Sequence, residues 1–523
     1  MIRSHRRLAA AIVIGASVAV VLAGCSGGGG SSSSSGKTLV VDNSFDLKTS
    51  DPARAFELTG SIVDKALYET VLTFKGSDVT KPVPGIMSYS ESSDDKTLTL
   101  TMDGKHYFSN GDPVTVDDVV FSLKRVQAIA GNPSFLLDGV TVTKKDDKTV
   151  VLTTTTANPA LPFILPNPSL GIVDSKVLKK HGGTDTKSDS AESYLNKTSA
   201  GSGPYMLKSY SVTTKVVFEP NPHYAGTKPA YSNVVLENVA GPTQKINVQA
   251  GASQVALDLN ATQVQGLDSA KTNLIKGTSP YVMYLWFNQD STIGAGVTNN
   301  QDFITAVRKS IDYSKILGLS GSGSTQPGGL VPSQFKGAIK PDSTAEFDLA
   351  AAKAALAKSG YNGQTVTFSY PNDITVDGLQ FETLAQALQS QWAAAGITVK
   401  LAPGPIATVL DSFRAGNLQS GIMYWGPDYP DASDYLVFSP GQSIGLRAAW
   451  KDGADATVTD AANAAGSASS DDRVQAFATW QKAMNASGPF VPLVQPGQYV
   501  VTATSITSVP LNPVWTVDLA SIK

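Results

Sequence analysis

The residues best suited to hold a ligand lie together between positions 421 and 431. This segment carries three aromatic rings, two carboxylates and two prolines. Glycine and proline favour an abrupt turn, so we expect a short buried strand to end here in an exposed loop. In one interpretation the rings form the apolar walls of a ligand cleft, and a carboxylate anchors a cation. In the other, the segment is a tight turn over a core aromatic ring, and its acids are solvated.

A second motif suggests a different chemistry. Residues 441–445 match the Gly-x-Ser-x-Gly pattern of a nucleophile elbow, with Ser443 in the nucleophile position. In that class of hydrolase an acid and a histidine follow the serine in chain order. The last histidine of this chain is His223. The sequence therefore argues against a secreted hydrolase and predicts no catalytic residue.

The histidines also argue against a protein-built zinc site. Beyond the first 24 residues only His106, His181 and His223 remain, and no two of them have the spacing of metal ligands. We expect them to be ordinary surface or turn residues. The sequence predicts no metal site and no cofactor.

Composition bounds the class of protein. With 523 residues, 41% hydrophobic and only 16% charged, the chain can bury a large core and should form more than one lobe. Three of its 41 basic residues lie in the first 24, which leaves 38 against 44 acidic residues. A nucleic-acid-binding protein needs a basic face, so this balance gives no support to that class.

The N-terminus resembles an export signal. A basic start is followed by an apolar run too short for a membrane span, ending in Leu-Ala-Gly-Cys. This ending is similar to a bacterial lipobox, which implies a signal peptide at 1–24 and lipidation of Cys25. Cys25 is the only cysteine, so no intramolecular disulfide is possible. The Gly/Ser stretch at 26–36 completes a flexible tether at 25–36.

Periodicity predicts a mixed α/β chain. A strand at 38–41 leads into a corner at 43–45, and the apolar run at 281–288 predicts a buried strand. Thr115 with Asp118 resembles a capping box that begins a helix. A strand, a helix and a second strand follow one another within 366–401, which indicates a parallel sheet.

Five segments in this order resemble the extracytoplasmic solute-binding proteins of peptide- and nickel-type ABC importers. The first segment is the most specific, and the resemblance covers nearly the whole chain after the leader. Asn110 departs from the family, where Asp is commoner, and Ala225 replaces a usual Trp. The segments are 108–125, Gly203-Pro204-Tyr205, Asn221-Pro222-His223-Tyr224, 307–312 and 425–431.

The resemblance implies an α/β fold of the periplasmic-binding-protein type (class II-like, cluster C), with two lobes, three domains and a hinge. Domain II would comprise 71–199 and domain III 276–489. Domain I would be discontinuous, at 37–70, 200–275 and 490–523. Hinge closure would enclose a ligand between the lobes and present the closed form to a membrane permease.

The resemblance also implies site residues. In peptide-binding members the aspartate of a Trp-x-x-Asp turn holds the peptide α-amino group, and that position is Asp428 here. Arg447 is a candidate partner for a ligand carboxylate, with a surface salt bridge as the alternative. The remaining candidates for lining the cleft are Tyr424, Trp425, Gly426, Tyr429, Asn43, Ser44 and Phe45.

Ligand identity stays open at this stage. A peptide ranks first because Asp428 suits an amine, while an oligosaccharide, an opine or a nickel or metallophore chelate would use the same architecture. We expect a monomer that is extracytoplasmic and anchored to the cell membrane by the lipid on Cys25. The expected partners are the small ligand and the ABC permease subunits, with no nucleic acid and no enzymatic activity.

Overall fold

Residues 37–469 and 472–523 are described by the structure, a computed structural model. The predicted signal peptide at 1–24 and the tether at 25–36, including Cys25, lie outside these ranges. None of the helices within them is long and apolar enough to span a membrane.

Strands run through the whole described chain. In chain order they are β1 (Thr38–Asn43), β2 (Leu72–Lys75), β3 (Asp78–Pro84), β4 (Ser88–Glu91), β5 (Thr97–Thr101), β6 (Thr141–Lys144), β7 (Thr149–Thr153), β8 (Tyr205–Tyr210), β9 (Lys215–Pro220), β10 (Asn233–Asn238), β11 (Val255–Ala256), β12 (Thr272–Thr278), β13 (Val282–Phe287), β14 (Val366–Pro371), β15 (Thr375–Val376), β16 (Leu379–Gln380), β17 (Val399–Gly404), β18 (Ser420–Trp425), β19 (Phe490–Val494), β20 (Gly497–Ala503), β21 (Leu511–Asn512) and β22 (Thr516–Val517).

Helices alternate with these strands. The α-helices are α1 (Leu58–Leu67), α2 (Val116–Ile129), α3 (Leu161–Ile164), α4 (Ser175–Lys180), α5 (Glu192–Leu195), α6 (Gly241–Ala250), α7 (Gln301–Lys309), α8 (Tyr313–Ser320), α9 (Leu349–Lys358), α10 (Phe381–Ala395), α11 (Ile406–Arg414), α12 (Ser443–Arg447), α13 (Ala456–Ser467) and α14 (Arg473–Ser487). Short 3-10 helices lie at Asn132–Leu137, Pro168–Leu170, Ser343–Ala345, Ala432–Phe438 and Leu519–Ser521.

A seven-stranded sheet in the order β12-β20-β11-β1-β10-β9-β8 gathers segments from both ends of the chain. Strand β1 is parallel to β10 and β11, and the other pairs are antiparallel. A four-stranded antiparallel sheet, β4-β5-β7-β6, lies in the same half of the molecule. We call the part that holds these two sheets the first lobe.

The second lobe is built on a five-stranded sheet in the order β17-β14-β18-β13-β19. Strand β14 is parallel to β17 and β18, so the predicted strand–helix–strand unit is confirmed with α10 as its crossover. All six residues of β13 are buried, and strands flank it on both sides. The buried strand predicted at 281–288 is therefore confirmed.

One grouping implied by the family resemblance differs from the sheet topology. Strand β19, at Phe490–Val494, pairs with β13 in the five-stranded sheet. The resemblance groups residues from 490 onward with the segments of the seven-stranded sheet, but the chain returns to that sheet only at β20. The reason is that β19 first completes the second lobe by covering the open edge of β13.

Helix α2 begins as its sequence predicts. The Thr115 side chain and the Asp118 backbone form one half of a capping box, and the Asp118 carboxylate accepts the Thr115 N–H at 2.9 Å. The same helix carries Arg125, which is 1% exposed and donates at 2.6–2.8 Å to both carboxylate oxygens of Asp51 and of Asp189. These two acids hold α2 against the rest of the first lobe.

Two adjacent segments join the lobes. The chain passes from β12 to β13 through Ser279, Pro280 and Tyr281, and from β19 to β20 through Gln495 and Pro496. The N–H of Ser279 donates to the Pro496 carbonyl at 2.9 Å, and Nε2 of Gln495 donates to the Ser279 carbonyl at 2.8 Å. Because the two crossings are hydrogen-bonded to each other, they are placed to act together as a hinge.

Candidate functional site

A cavity of about 980 Å³ lies between the lobes. The first lobe contributes segments that follow β1 and β11 and the start of α1. The second lobe contributes residues around β13, the β15–β16 hairpin, the end of β18, and the helices α11 and α12. Because both lobes supply its walls, hinge motion would open and close the cavity.

Direct contacts between the lobes bound this cavity. Nδ2 of Asn167, in the first lobe, donates to the carbonyl of Asp428 at 2.9 Å. The tip of the β15–β16 hairpin meets the loop after β11, where a Cβ on Gly378 would stand 2.1 Å from Cβ of Asn260. Only glycine permits that approach, and its φ of +76° also favours glycine. The lobes therefore touch on either side of the cavity.

The segment at the end of β18 lies on the cavity wall. Tyr424, Trp425, Gly426 and Asp428 all line the cavity. A Cβ on Gly426 would lie 1.9 Å from Cε1 of Tyr281, so the backbone and this ring are in close contact. The arrangement corresponds to the first interpretation of the 421–431 segment, a loop beside a cleft.

Asp428 is the carboxylate of this loop, and a second acid lies directly behind it. Its backbone N–H donates to Oδ2 of Asp434 at 3.0 Å, and Asp434 is only 4% exposed. Burial raises the pKa of Asp428 to about 6, while a hydrogen bond from Asp434 lowers it. Burial and then the charge of Asp428 raise the pKa of Asp434 well above its ordinary value. Ionisation of one acid therefore disfavours ionisation of the other.

Aromatic rings form the wall beside this acid pair. Tyr281 and Tyr424 pack edge to face with their ring centroids 5.7 Å apart, and Trp425 packs edge to face on Phe438 at 5.8 Å. Burial raises the pKa of Tyr281 well above its usual value, so its hydroxyl keeps its proton. Flat rings next to a carboxylate suit an organic cation.

Tyr429 is not on the cavity wall. Its ring packs against the hydrophobic cluster of the first lobe, and its hydroxyl lies 3.4 Å from Oγ of Ser433. The turn imposed by Pro427 and Pro430 directs this ring away from Tyr424. Tyr429 thus contributes to the contact between the lobes instead of the cavity lining.

The three candidates at the end of β1 and just after it, residues 43–45, also differ in whether they reach the cavity. Ser44 lines the cavity. Asn43 is buried behind it and donates from Nδ2 to Oδ2 of Asp258 at 3.0 Å, and Phe45 packs on the core of the seven-stranded sheet. Side chains on an extended segment alternate in direction, so the three candidates cannot all face the same cavity.

Arg447 lines the cavity from the end of α12. Its guanidinium lies 5.8 Å from the ring centroid of Phe413 and forms no hydrogen bond or ion pair with a residue in the described part of the chain. Burial lowers its pKa, the hydroxyl of Tyr284 raises it, and the nearby Arg414 lowers it. A half-buried cation in this position is available to an anionic group of a ligand.

Four further acids line the cavity, and the sequence patterns did not point to them. They are Asp46, Glu57, Asp258 and Asp377. Asp46 and Glu57 lie in the connection between β1 and α1, while Asp258 follows β11 and Asp377 lies in the β15–β16 turn, so no single spacing in the sequence brings all four together. Tyr281 was missed because it reaches the site only through the packing of β13 against β18. Asp434 lies only six residues after Asp428, in the 3-10 helix at Ala432–Phe438, and this nearness in sequence was the available signal.

Ser443 of the Gly-x-Ser-x-Gly match is the first residue of α12, and the 3-10 helix at Ala432–Phe438 lies between it and the preceding strand. This position lacks the strand–turn–helix arrangement of a nucleophile elbow. The pattern match is therefore coincidental.

Residues 81–444 match the family model described as bacterial extracellular solute-binding proteins, family 5 middle. The probable D,D-dipeptide-binding periplasmic protein of Escherichia coli is 29% identical over 412 residues, which cover 76% of this chain and 77% of that protein. The nickel-binding protein NikA of Staphylococcus aureus is 26% identical over 340 residues, 63% of each chain.

A solved structure shows the same fold. The ABC transporter substrate-binding protein CtaP of Listeria monocytogenes superposes with a TM-score of 0.81 at 17% identity, covering 93% of this chain and 99% of that one. At this level of identity the likeness concerns the fold alone. The predicted α/β fold of the periplasmic-binding-protein type is confirmed.

Proposed function

The chain belongs to the bacterial extracellular solute-binding proteins of family 5, which are transport binding proteins and not enzymes, and we propose that it captures peptides in the cavity between its lobes. The closed form then delivers the peptide to the permease of an ABC importer. Extended peptides offer a free amine, a carboxylate and backbone hydrogen-bonding groups, so a general site can hold them independently of side chain.

The observation that supports this function best is the Asp428 carboxylate on the cavity wall. Asp428 is largely enclosed, is backed by Asp434, and forms no ion pair with any residue among 37–469 and 472–523. A carboxylate in such a place is stabilised by a cation. In this proposal the cation is the peptide α-amino group, and Arg447 receives the carboxylate end.

The remaining contacts follow from the same orientation. The rings of Tyr424 and Trp425 and the backbone at Gly426 and Ser44 form the walls along the peptide. Asn43 supports Asp258 from behind, and Phe45 and Tyr429 hold the walls in place from the two cores. We thus assign ligand contact to Tyr424, Trp425, Gly426 and Ser44. Asn43, Phe45 and Tyr429 have supporting roles.

Localisation and assembly complete the proposal. Cys25 becomes the lipidated N-terminus after removal of residues 1–24, and 25–36 tethers a monomeric body to the outer face of the cell membrane. Domain II comprises 71–199, domain III begins near 276 and includes β19, and domain I comprises the remaining segments of 37–523. Lipid attachment increases the local concentration of the binding protein near its permease.

Nickel or a metal chelate is the second candidate because of the similarity to the nickel-binding protein of Staphylococcus aureus. In the part of the chain that the structure describes, no group of three or more His, Cys, Asp or Glu side chains is arranged to hold a metal ion. An oligosaccharide could stack on the same aromatic wall, but it would leave the acid pair without a cation.

Native mass spectrometry of the purified protein tests the ligand class. We expect a series of bound masses separated by amino-acid residue masses, which disappears after mild unfolding and refolding. A single sugar or metal chelate as the bound species would contradict the peptide assignment. Detection of the protein in the membrane fraction, with a Cys25→Ala variant released to the soluble fraction, tests the anchor.

A further inference from the structure

We propose that the cavity contains a second cation subsite, formed between Asp258 of the first lobe and Asp377 of the second, which selects solutes that carry a second positive group. For a peptide this group is the side chain of a lysine or an arginine. The inference rests on the proposed function, in which Asp428 already holds the first amine, and it names the class of peptide.

Asp377 lies at the tip of the β15–β16 hairpin, which reaches across to the first lobe. Its φ is +46° and that of Gly378 is +76°, as in a two-residue turn that pairs Asp with Gly. Oδ2 of Asp377 is buried and accepts no hydrogen bond from a residue in the described ranges. An enclosed carboxylate oxygen without a donor is costly, and a cationic ligand would supply the donor that the protein lacks.

Asp258 faces this hairpin from the loop after β11. Three donors converge on its Oδ2, namely the N–H of Ser44 at 2.6 Å, Nδ2 of Asn43 at 3.0 Å and Nε2 of Gln244 at 2.9 Å. These bonds fix the position of the carboxylate and leave its other oxygen for a ligand. Asp258 lines the cavity and forms no ion pair with any described residue.

The two acids are close enough to affect each other. Burial raises the pKa of Asp377 to about 6, the Ser279 hydroxyl lowers it, and the charge of Asp258 raises it. The surrounding protein raises the pKa of Asp258 as well, although its side chain is exposed to the cavity, and the charge of Asp46 adds to that rise. A positive group placed between them would relieve both the repulsion and the loss of solvation. Because the acids come from different lobes, closure completes this subsite.

The surroundings favour an organic cation. The ring of Tyr281 lies within reach of the charge of Asp377, and Tyr424 packs on Tyr281. Ammonium and guanidinium groups bind well to carboxylates beside aromatic faces. Among the described residues, five carboxylates and two guanidiniums line the cavity. Glu57 pairs with Lys48 at 3.0 Å and Arg414 with Asp411 at 3.6 Å, which leaves four unpaired acids and Arg447. One amine and one carboxylate on a ligand would leave this excess of negative charge uncompensated.

Matched tripeptides test the subsite by isothermal titration calorimetry. The reference peptide is trialanine. Three further tripeptides carry one lysine, at the first, second or third position. Each has a partner with norleucine at the same position, because norleucine has a side chain of similar length without the charge. We expect one lysine peptide to bind at least about tenfold more tightly than its norleucine partner, as for a charge-assisted contact. Asp377→Asn should remove that preference and change trialanine affinity by less than about twofold. Asparagine tolerates the left-handed backbone of this turn.

Asp258→Asn is the second variant and should also remove the lysine preference. Because Asp258 accepts three hydrogen bonds, the melting temperature of this variant is measured to show that it still folds. Equal affinities for lysine and norleucine peptides would overturn the subsite and leave the peptide function intact. A lysine preference that survives in both variants would also overturn it. Failure of every peptide to bind would contradict the proposed function and the subsite together. Binding of Ca²⁺ or Ni²⁺ alone that Asp377→Asn abolishes would replace the organic cation by a metal.

Discussion

The backbone N–H of Asp428 donates a 3.0 Å hydrogen bond to Oδ2 of Asp434, so two carboxyl groups lie together at the wall of the cavity. Asp434 is almost fully buried and its pKa is raised well above the ordinary value, first by burial and then by the charge of its neighbour. Burial and the charge of Asp428 both disfavour ionisation of Asp434. Asp428 is the member of the pair that lines the cavity, and its enclosed carboxylate suits an ammonium group.

Asp428→Asn should weaken peptide binding by more than about tenfold, because it removes a charge-assisted contact of roughly 1.5–3 kcal/mol. The melting temperature of the ligand-free protein should stay nearly the same or rise, since the variant no longer buries a charge. Calorimetric titration measures the peptide affinity, and thermal unfolding measures the melting temperature. Unchanged affinity would remove Asp428 from the site.

Peptide affinity should fall with acidification through pH 6. The pKa of Asp428 is raised to about 6 in the ligand-free protein, and protonation removes the charge that holds the amine. We expect the highest affinity near pH 7, because the peptide amine itself loses its proton near pH 8. Affinity should fall progressively below pH 6, with release of a proton on binding near pH 6. Titration at pH 6 in two buffers of different ionisation enthalpy detects that proton. A flat profile from pH 8 to 5 would exclude this role.

The same raised pKa has the opposite effect on folding. Between the unfolded pKa near 3.8 and the folded pKa near 6, the folded state binds more protons at Asp428 than the unfolded state does. The contribution of this group to the stability of the ligand-free protein therefore increases as pH falls from 7 to 5. Comparison of unfolding curves for the wild type and Asp428→Asn at pH 7 and at pH 5 isolates this contribution. If the difference in stability between the wild type and Asp428→Asn is the same at pH 7 and pH 5, the pKa of Asp428 is not raised in the folded protein.

Arg447→Gln should weaken peptides with a free C-terminal carboxylate and leave their C-terminal amides almost unaffected. The wild type should discriminate against the amide by about tenfold, because the guanidinium has no anionic partner among the described residues. In the variant the free acid and the amide should bind equally. A variant that still discriminates would assign the carboxylate to another group, with Arg414 the nearest alternative.

Arg125→Met should destabilise the protein by up to about 3–5 kcal/mol, because it leaves the buried Asp51 and Asp189 with only the partly exposed Arg54 as a cationic partner. Lys144→Met is the matched control, since it breaks only exposed ion pairs and should cost under about 1 kcal/mol. Urea unfolding followed by tryptophan fluorescence measures both. Similar costs for the two variants would show that the buried network contributes little.

Gly426→Ala should lower peptide affinity because its Cβ would overlap the ring of Tyr281, which then has to leave its place on the wall. Gly318→Ala is the control, since a Cβ there meets no heavy atom within 4 Å and the position is helical. That replacement should be neutral or stabilising by up to about 1 kcal/mol. Both are compared by calorimetric titration and thermal unfolding.

Local patterns predicted the parts of the fold that depend on neighbouring residues. The capping box at Thr115, the buried strand β13 and the unit of β14, α10 and β17 follow from periodicity and end signals alone. The β15–β16 hairpin was missed because its strands have two residues each. Its Asp-Gly turn was the available signal, and it would have indicated a hairpin.

The candidate site was predicted in part. Asp428, Trp425 and Ser44 lie on the cavity wall, but Asp258, Asp377 and Tyr281 reach it from loops far apart in the chain. Their proximity results from the packing of two sheets about the hinge, which no local spacing records. Tyr429 and Phe45 were placed on the wall by their neighbourhood. Alternation along the extended segment directs Phe45 into the core of the seven-stranded sheet, and the bend after β18 directs Tyr429 into the cluster of the first lobe.

A crystal structure of the protein with a saturating lysine-containing tripeptide tests the central claim most directly. The account predicts closed lobes with the peptide between them and its N-terminal nitrogen about 3 Å from the Asp428 carboxylate. A peptide bound outside this cavity, or one whose N-terminal nitrogen lies away from Asp428 inside it, would contradict the account.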